Sequence, residues 1–117
     1  MAEQVVDSLV ALLRATREAE RDVFGSLDPI VRDRPLRPGD WSPKDHQAHL
    51  TAWKARQANR FAAARRGEEP AQTPDGETDA INAELQAARA DWTWDAIAEE
   101  AEEVRERLIR EVSATSP

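Results

Sequence analysis

Apolar residues recur at steps of three and four through nearly the whole chain, and long Pro/Gly-rich stretches interrupt the rhythm at only two places. An α-helix, with 3.6 residues per turn, is the regular element whose buried face has this spacing. No segment alternates apolar and polar residues with the period of two that a half-buried strand requires. Ala is abundant, Tyr is absent, and β-branched residues are sparse, which favours helix further.

The pattern predicts four helices. The first is expected at about 3–24, with Val5, Leu9, Leu12, Leu13, Thr16, Glu20 and Val23 as its inward stripe and Gly25 as a left-handed cap. A connection with Pro29, Pro35 and Pro38 follows, with room for one short turn at Asp28-Pro29. The second helix is expected at about 43–66. Ser42 is its N-cap, Pro43 its first residue, Asp45 complements the positive end of the dipole, and Gly67 is its stop. Its inward stripe is expected to run through His49, Leu50, Trp53, Gln57, Arg60, Phe61 and Ala64. After the polar loop "GEEPAQTPDGET" comes a short helix at about 78–91 with Ile81, Leu85 and Ala88 as its seam. The fourth, at about 93–113, is capped by Thr93 and carries the near-heptad seam Ile97, Ala101, Val104, Leu108 and Val112. The tail "ATSP" should fray. The expected architecture is all-α, a four-helix bundle, as a single domain over 1–117.

The absence of Cys removes disulfides, thiolate nucleophiles and Cys-based metal sites. A net charge of −7 repels a phosphate backbone. The basic cluster Lys54, Arg56, Arg60, Arg65 and Arg66 and the acidic run from Asp95 to Glu111 read as solvated helix faces of opposite sign, so no nucleic-acid partner is expected. No apolar run approaches the roughly 20 residues of a membrane span, and the reading is a cytoplasmic protein with no membrane partner.

Chemistry concentrates in "GDWSPKDHQAHLTAW", Gly39 to Trp53, which holds two Trp and both histidines of the chain. Trp41 precedes the N-cap and His46 is the fourth helical residue, the two positions of a hydrophobic staple. Trp92 and Ile97 repeat the spacing around Thr93. His49 lies one turn further in, four residues before Trp53, and a buried imidazole there needs partners for both nitrogens. A satisfied core histidine and a metal ligand are both open readings, and a catalytic zinc normally takes three protein ligands. No third His exists, and Glu20 is the one acid on an expected inner stripe.

This motif, followed by "INAEL" and "WTWDAIAEEAEEV", resembles the DinB-like superfamily of helical bundles (the DinB/YfiT-like fold). Within it the nearer resemblance is to the DfsB/ClbS branch, with mycothiol-dependent maleylpyruvate isomerases as distant relatives. The resemblance spans nearly the whole chain in order of elements. It implies that His49 corresponds to the first ligand of a divalent metal, zinc or nickel, whose remaining ligands come from a later helix. No histidine follows His49, so a full metal site is not expected and no cofactor is expected. The chain is also read as lacking a C-terminal helix carried by relatives. The DfsB/ClbS branch includes a resistance protein that hydrolyses the cyclopropane warhead of a genotoxin. That implies a small-molecule ligand in a pocket formed by Trp41, His46, His49 and Trp53, with His49 as the catalytic candidate. The alternative reading is a non-catalytic truncated bundle that binds a ligand or a partner. In either case a homodimer is expected, its partner covering the open side of the bundle at the fourth helix's seam.

Overall fold

The computed structural model describes residues 2–35, 37–69 and 77–115. Four helices form, α1 (Ala2–Gly25), α2 (Pro43–Arg65), α3 (Thr78–Ala88) and α4 (Trp94–Ser113), with no strand among the described residues. Most of the loop 67–78 and the end of the tail lie outside the described residues.

The boundaries follow local chemistry. Ser42 and Asp45 form a capping box at the start of α2, each side chain accepting from the other's backbone N–H. Gly67 ends α2 with φ at +74°: its N–H donates to Ala64 O and that of Glu68 to Ala63 O, the paired bonds of a Schellman motif. Gly25 behaves differently. It stays within α1 without a positive φ, and α1 is closed instead by Ser26, whose N–H donates to Asp22 O and whose Oγ donates to Val23 O. The Asp28-Pro29 turn is present, with Asp28 Oδ1 accepting from Ile30 N–H at 2.9 Å. α3 stops at Ala88, three residues earlier than expected, because a turn takes over in which Arg89 N–H reaches Gln86 O. Thr93 caps α4 through Ala96 N–H.

The helices lie side by side in the order α1, α4, α2, α3, with the α2–α4 contact the most extensive. α4 contributes Ile97, Ala101, Leu108, Ile109 and Val112 to the core. Its apolar seam is thus filled within the chain, apart from the half-buried Val104, so this seam is not the open face expected to meet a partner.

The inward face of α2 corrects the sequence expectation. Gln47, Ala48, Thr51, Ala52, Ala58 and Ala62 are buried, whereas Gln57, Arg60 and Ala64 are exposed and Leu50 is 40% exposed. Small side chains let the α2 and α4 backbones approach; Phe61 packs against the core as expected, while His49, Leu50 and Trp53 lie off the row of buried residues. On α1, Val10 is buried and Val6, Leu9 and Leu13 pack against the core, but Val5, Leu12 and Val23 are more than 60% exposed. On α3, Ile81 and Leu85 are half-buried and Ala88 is exposed.

Glu20 points inward as expected and is committed to cations there. Its carboxylate accepts from Lys54 of α2 and, at 2.8 Å, from Arg105 of α4, a guanidinium that is only 6% exposed. Beside it Arg21 forms a two-bond pair with Glu102 at 2.6 Å, and Arg17 meets Glu106.

Candidate functional site at the start of the second helix

The capping box fixes the entry of the chain into α2 and therefore the directions of Trp41 and His46. Their ring centroids lie 5.5 Å apart in an edge-on arrangement, so the staple is formed. The second staple spacing ends differently: Ile97 is buried, while Trp92 is 37% exposed and takes the Arg89 guanidinium over its ring at 4.9 Å. Lys44 anchors the same end from the other side, donating from Nζ to Trp92 O at 2.8 Å and to Ala90 O at 3.1 Å. Asp45 Oδ1 accepts from Gln86 of α3.

One turn on, His49 is half-buried between two indoles, its ring centroid 5.0 Å from Trp41 and 6.2 Å from Trp53. His46 is exposed. The four residues singled out in the motif therefore form one cluster. The cluster lies on the side of α2 away from its buried row, where α3 packs through Gln86 to Asp45 and Asn82 to Trp53, one turn before and one turn after His49.

The electrostatics of His49 follow from that seat. Nδ1 is buried and has no hydrogen-bond partner. Burial, and after it the neighbouring His46, lowers the imidazole below its ordinary value of 6.5. His49 is thus a neutral ring at pH 7 with an unsatisfied nitrogen, the condition of a group that can accept or donate one further hydrogen bond.

Further along the same face, Trp53 Nε1 donates to Asn82 Oδ1 at 2.9 Å, and the Arg56 guanidinium lies 4.9 Å from the Trp53 ring centroid. Beyond Trp53 a cleft of about 350 Å³ opens, lined by Arg56, Gln57, Arg60 and Arg66 among others. Asn82, Gln86 and Arg56 were not foreseen as site residues. Asn82 lies inside the "INAEL" segment, which was the one signal available for it.

The donor set does not fit a resident metal. No group of three or more His, Cys, Asp or Glu able to hold an ion occurs among the described residues. Asp45 is engaged by Ser42 and Gln86, and Glu20 by Lys54 and Arg105. The Ser42 hydroxyl is engaged in the cap, where it donates to Asp45 Oδ2 at 3.1 Å.

No helix among the described residues is long and apolar enough to cross a membrane. No curated protein and no solved structure matches the chain. The model of the DinB superfamily does, over residues 12–117, and the chain therefore belongs to the DinB superfamily.

Proposed function

We propose that the protein acts on a small electrophilic molecule at His49, as a member of the DfsB/ClbS branch, and that it does so in the cytoplasm without a resident metal. The observation that carries the reading is the neutral His49 ring, held between Trp41 and Trp53 with Nδ1 buried and unpartnered. A buried nitrogen without a partner is costly in a structural histidine and useful in one that meets a ligand or a water molecule. The indoles supply apolar walls for the body of a ligand.

The step this permits is a hydrolysis. His49 accepts a proton from water as the water oxygen bonds to an electrophilic carbon of the ligand, and the breaking carbon–heteroatom bond leaves its electron pair on the departing atom. Styrene oxide, a strained three-membered ring, is a suitable probe. Its conversion to the diol should fall by about 100-fold in His49→Gln and be unchanged by EDTA, since general-base assistance is typically worth that much. Equal rates in the wild type and His49→Gln would refute the reading. Elemental analysis of untagged protein adds a second arm, because one tightly held zinc or nickel per chain would show that the ligand count is wrong.

The second reading is ligand binding without turnover, favoured by the committed Ser42 hydroxyl. It predicts saturable binding to the His49 pocket with no product.

A further inference from the structure

We propose that the cleft beside Trp53 is a binding site for a small planar organic carboxylate. This rests on the small-molecule reading above and names its ligand class. Three guanidiniums (Arg56, Arg60 and Arg66) and one carboxylate (Glu69) line the cleft, in a chain whose net charge is −7. A local excess of positive charge on an acidic protein concentrates anions at that point. Among the described residues Arg60 makes no ion pair, whereas Arg66 is bonded to Glu68 at 2.8 Å. The cleft volume of about 350 Å³ suits a small ligand.

The shape of the group follows from the wall. The Trp53 indole is fixed by its bond to Asn82 and overlain by Arg56, which makes a flat, partly apolar surface at the inner end. A planar body stacks there while its carboxylate takes the paired N–H groups of Arg60. His49 lies four residues before Trp53 on α2 and Arg60 seven residues after it, so a ligand held at Arg60 and stacked on Trp53 extends in the direction of His49.

The test uses 2-naphthoate as probe and uncharged 2-naphthamide as control, measured by isothermal titration calorimetry on the full chain. Naphthoate should bind saturably, at least about tenfold tighter than naphthamide, and Arg60→Glu should cost at least about tenfold. Arg60 is exposed, so far-ultraviolet circular dichroism should stay unchanged in that variant. No saturable binding, equal binding of the two compounds, or full binding by Arg60→Glu would overturn the site. Binding is read without turnover, and His49→Gln should retain it. Loss of the hydrolysis with retained naphthoate binding therefore removes the catalytic reading alone.

A separate observation concerns α1, and the geometry points to a second copy of this chain as its partner. On a 3.6-residue wheel, Val5, Ser8, Leu12, Ala15, Thr16, Ala19 and Val23 span an arc of about 100° that contains no charged residue. Within it Val5, Leu12 and Val23 are 62%, 61% and 61% exposed. An interface of ordinary size takes about 800 Å² from each partner. At net charge −7 two copies repel over most of their surface, and a charge-free stripe lets them meet without opposing like charges.

Four of the seven stripe residues pair about position 14: under an antiparallel two-fold arrangement Val5 meets Val23 and Leu12 meets Thr16, as an isologous interface requires of its central contacts. Light scattering should give twice 13.1 kDa at micromolar concentration, and Leu12→Glu should give a monomer of unchanged helicity. A monomeric wild type, or a dimer that survives Leu12→Glu, would overturn this interface. The chain has no cysteine, so Val5→Cys/Val23→Cys should oxidise to a covalent dimer. Equal cross-linking by Val5→Cys alone would overturn the antiparallel register.

Discussion

His49 makes the stability of the fold depend on pH in a stated direction. Its folded-state pKa is lowered from 6.5, first by burial and then by His46, so below 6.5 the unfolded chain binds more protons than the folded one. Stability from this group is complete above about pH 6.5 and is lost as pH falls through the folded value. The urea midpoint should therefore drop between about pH 7.5 and about pH 5, and His49→Gln should flatten that drop. Glu68, Glu102 and Glu111, whose values are lowered from 4.5 chiefly by hydrogen bonds from Arg66, Arg21 and Arg65, act at lower pH and leave this window clear. Trp41 tests the same seat from outside. It is half-buried against both imidazoles, so Trp41→Ala should cost about 2 kcal/mol in urea denaturation, between the loss of a cap and that of a core aromatic. A change near zero would mean that the staple contributes nothing. All four clustered residues were legible in one fifteen-residue stretch, because caps and staples are local. Asn82 and Gln86 were not, because their roles depend on which helix lies beside α2.

At the scale of the element, α2 shows why large side chains mislead. Of the stripe expected to face inward, Phe61 packs against the core, but the bulky His49, Leu50 and Trp53 lie off the buried row, so bulk alone does not mark the core side. The buried side is instead a row of Ala and Thr that brings α4 close, while α1 and α4 carried enough Leu, Ile and Val on the core side for much of their packing to be read directly. Even on α1 the periodicity could not separate the core side from the exposed stripe, because both are apolar. The close contact predicts an asymmetry between two alanines. Ala58 is fully buried, and Ala58→Leu should cost about 1–3 kcal/mol by overpacking; Ala64 is exposed, and Ala64→Leu should stay within about 0.5 kcal/mol. Thermal denaturation of the pair checks this, and equal losses would contradict the packing described.

Across the whole molecule, the Glu20 cluster ties three helices at one point. Lys54 of α2 and Arg105 of α4 share the Glu20 carboxylate of α1, so the cluster favours one relative placement of the three. Arg105→Ala should destabilise by about 3 kcal/mol, since it removes a buried guanidinium and leaves the half-buried Glu20 carboxylate with one cation in place of two. A loss below about 0.5 kcal/mol would show the cluster to be solvated and energetically idle.

The position of α4 between α1 and α2 has a consequence for the order of events during synthesis. The helix translated last of the four is the one that α1 and α2 close upon, and the Arg17–Glu106 pair joins residues 89 positions apart. Until α4 emerges, α1 and α2 have apolar faces and no surface to bury them on, and they must wait as partly formed helices that a chaperone or protease can reach. Folding of the bundle should therefore wait for α4. A fragment ending at Asp91 should show weak helicity by circular dichroism and rapid proteolysis, and should gain structure when a peptide of residues 92–115 is added.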